Sequence, residues 1–138
     1  MDLRTLTHKV IGDINSDLIL QEVKQYLNRD EHVFLQKGQN FIFDIPYTNS
    51  LIQKYNMRSS RIMCLDPKQC YTWHKDQSPR IHFPLITDNR CLFVLEDKAF
   101  HMEINHAHYV DTRKMHTALN GTKDLCRYHI VGKSNELL

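Results

Sequence analysis

Trp73-His74-Lys75-Asp76 sets an imidazole and a carboxylate two residues apart. In extended backbone, residues i and i+2 point to the same face, so His74 and Asp76 can converge on one point. They supply two corners of a metal site. A second histidine would complete a two-histidine, one-carboxylate triad, a set that leaves open positions on iron(II). That third corner must come from a distant segment. Seven of the nine histidines lie between His74 and His129, and His101, His106, His108, His116 and His129 all compete for the place. His116 opens an apolar stretch after the polar turn Asp111-Thr112-Arg113-Lys114, and its spacing from Arg127 favours it over the others.

Arg127 stands eleven residues beyond His116, inside the apolar run from Leu125 to Val131. A charge in a buried strand is costly unless it is paired. A dicarboxylate would supply the partner, because guanidinium binds carboxylate in a bidentate fork. The alternative is an arginine on an exposed edge strand. Arg80 and His82 form a further same-face pair, in Pro79-Arg80-Ile81-His82-Phe83-Pro84-Leu85. Both can point into the cavity that holds His74; otherwise they are a core histidine and a solvated arginine. Tyr71, Trp73 and Phe83 are candidate cavity walls or plain core.

These side chains need a scaffold that brings distant segments together. Asn15 or Ser16 caps a helix in which Leu18, Ile19, Val23, Tyr26 and Leu27 recur at helical spacing, ended by Asn28-Arg29-Asp30. A second helical stretch spans about 49–55. From residue 61 the pattern changes to short strands over 61–65, 70–75, 81–86, 91–96, 99–104, 108–110, 116–119 and 125–131. Turn groups such as Asp66-Pro67 and Asn120-Gly121 separate them. Strands so numerous and short suggest an antiparallel sandwich or barrel, with helices from the N-terminal third covering one sheet.

The chain has 138 residues, the size of one domain, and neither repeats nor a Gly/Pro-rich linker divide it. The expected organisation is a single domain over 1–138, with 1–60 as helical support and 61–132 as the barrel core. A net charge of +2, without a Lys/Arg run, points away from nucleic acid as a partner. No apolar stretch is long enough to span a membrane, and the start lacks a signal peptide, so the expected location is the cytoplasm. Cys64, Cys70, Cys91 and Cys126 form no CxxC pair and read as reduced, mostly buried thiols.

The order of these pieces resembles the aspartyl/asparaginyl β-hydroxylase and proline hydroxylase family of iron(II)- and 2-oxoglutarate-dependent oxygenases. The pieces are His74-Lys75-Asp76, then Arg80 to Leu85, then Tyr109-Val110-Asp111, then His116-Thr117-Ala118-Leu119-Asn120, then Arg127-Tyr128-His129-Ile130-Val131. The resemblance implies a mainly β double-stranded β-helix, a cupin-like jelly roll. It implies that His74, Asp76 and His116 bind Fe(II), that Arg127 grips the distal carboxylate of 2-oxoglutarate, and that Arg80 and His82 line the pocket near the chelating end. Where the family often has glycine before the Tyr-x-Val-Asp piece, this chain has Asn105 to His108, and asparagine tolerates a left-handed turn.

The implied reaction is hydroxylation of an amino acid, or of an amino-acid side chain in a peptide or protein, by molecular oxygen, with succinate and CO2 as coproducts. The alternatives are a non-catalytic cupin-like metal- or ligand-binding module, a zinc or manganese cupin hydrolase or isomerase, and a partner-binding protein with incidental histidines.

Overall fold

The computed structural model describes residues 7–137. Eleven strands and two helices follow one another as β1 (His8–Asp13), α1 (Ser16–Val23), β2 (Val33–Phe34), β3 (Gln36–Lys37), β4 (Asn40–Phe41), α2 (Pro46–Lys54), β5 (Arg58–Leu65), β6 (Arg80–Ile86), β7 (Cys91–Leu95), β8 (Lys98–Phe100), β9 (His106–Val110), β10 (His116–Asn120) and β11 (Arg127–Lys133). They form a six-stranded sheet in the order β1-β9-β6-β11-β5-β2, a three-stranded sheet β10-β7-β8 and a small β3-β4 pair. Every pairing is antiparallel. The architecture is the expected mainly β jelly roll.

The central strands β6 and β11 are buried along nearly their whole length. One of their faces meets the helices and the other meets the smaller sheet, so both faces must be apolar or satisfied. Strands β7 and β10 alternate buried and half-exposed residues because only one face of the smaller sheet is covered. The core accordingly has two parts. Ile19, Val23, Leu51, Ile52, Phe83 and Ile130 pack between helices and large sheet, whereas Leu65, Phe93, Leu95, Val110 and Ala118 pack between the sheets.

Local chemistry fixes the helices. Asn15 Oδ1 accepts the Leu18 N–H at 3.0 Å and so caps α1. Helix α2 starts at Pro46, and the Glu22 carboxylate of α1 accepts from Tyr47 N, Thr48 N and Thr48 Oγ1 at 2.7–2.9 Å. A carboxylate there satisfies the free N–H groups of the helix start and ties α1 to α2.

The N-terminal region is more than helical support. Strand β1 joins the large sheet beside β9, and β2 extends it beside β5. Both were illegible as strands because β1 carries a register shift between Val10 and Gly12 and β2 is two residues long. Asn105 has φ 67°, and its Oδ1 accepts Ser16 N while its backbone N–H donates to Ser16 Oγ. Asparagine thus does the work of the glycine usual before this strand.

The expected strand over 70–75 is not regular. Residues 70–74 run beside β10 through two isolated bridges, Cys70 with Leu119 and His74 with His116. Five residues on one side, 70–74, span four on the other, 116–119, so one residue is extra, as in a β-bulge. Such an insertion re-aims the side chains beyond it, and His74 lies just beyond it.

Candidate metal centre and cavity

The two histidines meet through their backbones first. His74 N donates to His116 O at 3.1 Å and His116 N to His74 O at 2.8 Å. Directly opposed residues of an antiparallel pair project to the same side, so the rings come to 4.4 Å between centroids. Asp76 follows after Asp76 N donates to Thr112 O at 2.8 Å, which turns the carboxylate back toward both rings. Asp76 Oδ1 is 3.6 Å from His74 Nε2, and Asp76 Oδ2 is 3.4 Å from His116 Nε2. One donor atom from each residue lies within 4.8 Å of the others.

The donor chemistry fits a divalent metal. His74 Nδ1 donates to Thr72 O at 2.6 Å and His116 Nδ1 to Lys114 O at 2.8 Å. A carbonyl can only accept, so both rings carry their proton on Nδ1 and turn Nε2 toward the carboxylate. That is the outer-shell arrangement that fixes tautomer and orientation in histidine metal ligands. Burial alone would raise the Asp76 carboxyl, but the hydrogen bond from His116 and the charge of Arg80 outweigh it and bring it to about 2. A hydrogen bond from His116 Nε2 needs a second proton on a ring already protonated at Nδ1. A metal cation bound at Nε2 would take that proton's place.

This triad opens on a cavity of about 430 Å³ between the two sheets. Arg127 lines it and is 4% exposed, its Nε atom without a hydrogen-bond partner. Burial lowers its basicity, opposed by the neighbouring Tyr71. Among the described residues no carboxylate lies within ion-pair distance of Arg127. Arg80 also lines the cavity but is already engaged. Its guanidinium donates to Ser78 O at 2.7 Å and Ser78 Oγ at 2.8 Å and stands 3.7 Å from Asp76 Oδ1. It therefore pairs with the Asp76 carboxylate. His82 lines the cavity too, its Nδ1 3.0 Å from His129 Nδ1. Burial, then the Arg127 charge, holds both of those rings well below the usual imidazole range.

The competing histidines are occupied elsewhere. His101 bonds to Cys91 O, His106 to Asp13, and His108 to Glu103 O and His8. Of the expected walls, Tyr71 lines the cavity, Phe83 sits in the core under the helices, and Trp73 is half exposed. Among the lining residues that the sequence did not single out are His32, Arg61 and Phe93. Phe93 stacks on His116 at 5.5 Å and meets His82 edge-on. Its signal was present in the alternation of β7, whose inward positions are 91, 93 and 95.

A second cluster, Cys64, Asp66 and Cys126, lies outside this cavity. Arg29 already binds Asp66 at 3.2 Å, and burial raises the Cys64 thiol to about 11. These thiols act as donors to the carboxylate, at 3.9 and 3.5 Å.

A jelly roll with two imidazoles and a carboxylate lining an inter-sheet cavity defines a cupin-like fold whose donor set suits a metal ion. Residues 24–132 match the family model for aspartyl/asparaginyl beta-hydroxylase, and the chain belongs to that family. No curated protein matches the sequence. Among solved structures it is similar to a non-heme monooxygenase, the ThoJ–Ni complex, at 10% identity and TM-score 0.59, covering 96% of this chain and 77% of that one. This likeness shows the shared fold. At TM-score 0.42 and 8% identity it resembles a cupin-2 domain protein from Shewanella frigidimarina, covering 67% of this chain and 94% of that one. At TM-score 0.40 and 15% identity it resembles the Rhodobacter sphaeroides complex of SigE with the anti-sigma ChrR, where 54% of this chain spans 38% of that one. Among the described residues no helix is long and apolar enough to cross a membrane.

Proposed function

We propose that the chain is an Fe(II)- and 2-oxoglutarate-dependent dioxygenase that hydroxylates an amino acid or an amino-acid side chain of a peptide or protein, with residues 1–138 acting as one oxygenase domain. The observation that carries this reading is Arg127, a buried guanidinium with no carboxylate partner among the described residues, in the same cavity as the triad. A cupin that only bound a metal would have no need of that cost.

His74, Asp76 and His116 would hold the metal. Bound there, iron(II) supplies the activation of dioxygen that couples oxidation of 2-oxoglutarate to succinate and CO2 with hydroxylation of a C–H bond. Arg127 binds the distal carboxylate of the cosubstrate in a fork, with the Tyr71 hydroxyl beside it. Placing the shared proton on His129 Nδ1 makes His82 Nδ1 the acceptor and leaves His82 Nε2–H to donate into the cavity. The same assignment leaves His129 Nε2 a bare acceptor, and that is the ring atom without a partner. Arg80 keeps Asp76 ionised and turned toward the two rings. Phe93 and the sheet walls keep bulk water from the reacting face.

The test is turnover of protein prepared without air, given Fe(II), 2-oxoglutarate and then oxygen, with a panel of free amino acids and peptides. Succinate should form in step with a substrate product heavier by one oxygen atom. Iron-loaded protein that oxidises substrate without consuming 2-oxoglutarate would overturn the reading.

A further inference from the structure

Two thiols and a carboxylate stand together on the helix side of the large sheet, away from the inter-sheet cavity. Between β5 and β11, Cys64 pairs with Tyr128 and Leu65 with Arg127. Leu65 packs toward the smaller sheet and Arg127 lines the cavity. Side chains alternate along a strand, so Cys64 and Asp66 from one segment, and Cys126 and Tyr128 from the other, project to the opposite face. Tyr128, Cys64 and Cys126 accordingly pack in the core under the helices. One donor atom each from Cys64, Asp66 and Cys126 lies within 4.8 Å of the others, and all three residues are half-buried.

The hydrogen bonds within this cluster are oversubscribed. Arg29 Nε and Nη2, Cys64 Sγ and Cys126 Sγ all donate to Asp66 Oδ1, at 3.2, 3.2, 3.9 and 3.5 Å. One carboxylate oxygen has about two acceptor sites, so the guanidinium fills them and the thiols are held weakly. Burial raises the Cys64 thiol to about 11, and a hydrogen bond from Tyr128 works against it by favouring the thiolate. Thiols so placed can be joined by a disulfide or by a cation, and strand register decides between them. Cys126 is level with Asp66, two residues along from the Tyr128 that faces Cys64. The cysteines are therefore a diagonal pair, with Cα atoms roughly 7–8 Å apart. A disulfide closes only up to about 7 Å without backbone movement. A tetrahedral cation with bonds of about 2.3 Å to each sulfur holds the two sulfurs roughly 3.8 Å apart and adds the reach that is missing. Two thiolates and a carboxylate around a divalent ion leave one negative charge over, and Arg29 stands beside Asp66 to balance it.

We propose that Cys64, Cys126 and Asp66 bind a thiophilic divalent cation of the zinc type, with solvent at the fourth position. The two thiol protons leave to solvent as the ion binds. The ion joins the end of β5 to the residue that leads into β11, directly before Arg127, and so clamps the sheet from the face opposite the cavity. The site shares no ligand with His74, Asp76 and His116 and is independent of the oxygenase reading.

The experiment titrates the reduced full chain with Cd(II), a probe whose bonds to thiolate absorb in the ultraviolet, and then with Zn(II) as competitor. The histidine triad has no sulfur and gives no such band. Wild type, His116→Ala and Cys70→Ser should all show the band, and Zn(II) should abolish it. Cys64→Ser and Cys126→Ser should each bind Cd(II) at least about 100-fold more weakly, the upper end for losing even an outer-shell partner. A measurement on the wild type alone guards against variants that fail to fold. Zn(II) should protect Cys64 and Cys126 from alkylation, mapped by peptide mass, and leave the exposed Cys70 reactive. The site falls if the reduced wild type gives no thiolate band, or if the band survives in Cys64→Ser and Cys126→Ser. It falls equally if the band is lost in Cys70→Ser, or if Zn(II) leaves alkylation of Cys64 and Cys126 unchanged.

Discussion

His74 and His116 face each other across one isolated antiparallel bridge, and the residue inserted between that bridge and the Cys70–Leu119 bridge turns the His74 ring onto the His116 ring. The site is therefore made by backbone pairing of two distant segments, with each imidazole locked by a carbonyl two residues upstream. Such a site should bind metal without reorganising.

Removal of a ligand is the first consequence. His116→Ala and Asp76→Ala should each weaken Fe(II) binding by at least about 100-fold, since losing even an outer-shell partner costs 10- to 100-fold. Metal titration under anaerobic conditions measures it. Affinity equal to the wild type in His116→Ala would exclude that ring as a ligand.

Arg127 gives a trade between stability and function. Arg127→Met removes a buried charge that has no carboxylate partner among the described residues, so ligand-free protein should gain about 1 kcal/mol or more. The rise in Tm that 2-oxoglutarate gives the wild-type chain should vanish, because that rise is binding linkage. Thermal melts with and without the cosubstrate, at constant Fe(II), report both effects. A lower ligand-free Tm would show that the guanidinium stabilises the fold by itself.

Acid should unfold this protein early. His8 is brought down to about 4 by burial and then by His108, and His32, His82, His108 and His129 are also depressed, burial leading in each. The unfolded chain binds protons near pH 6.5 that the folded chain refuses, so stability is full above that pH. For His8 it is lost progressively down to about 4. His8→Gln should flatten the slope of stability against pH in that window by up to about 1.4 kcal/mol per pH unit. Denaturant titrations at pH 7, 6 and 5 measure it; an unchanged slope would remove His8 from the account.

Asn120 should prove structural. Its amide donates to Leu65 O at 2.9 Å and Leu125 O at 2.8 Å, and its Oδ1 accepts from Thr122 N and Oγ1. These bonds pin the turn that leads into Arg127. Asn120→Ala orphans buried carbonyls and should cost about 2–4 kcal/mol, with a raised 2-oxoglutarate requirement in whatever folds. A loss below about 1 kcal/mol would mean that water replaces the amide.

Residue types and spacing made the meeting of His74, Asp76, His116 and Arg127 at one cavity readable, because the proposed chemistry calls for all four at once. The reason offered for the His74–Asp76 convergence, an even strand, was incomplete, since the bulge that aims His74 depends on pairing with β10. Arg61 was illegible for a related cause. In Arg58-Ser59-Ser60-Arg61 an arginine looks like solvated edge, and only the β5–β11–β6 register puts it level with His82. Arg80 lines the cavity as expected, and the sequence did not show that it also pairs with Asp76 at 3.7 Å. Strand β1 escaped notice because its partner β9 lies nearly a hundred residues away. Local chemistry was visible; long-range register was not.

Anaerobic addition of Fe(II) and then 2-oxoglutarate to the chain, followed by visible spectroscopy, tests the proposed site most directly. The proposed chelate should give a weak charge-transfer band that appears only with both present, is absent in His116→Ala, and needs far more 2-oxoglutarate in Arg127→Met. A chain that binds Fe(II) and shows no band at saturating 2-oxoglutarate would contradict it.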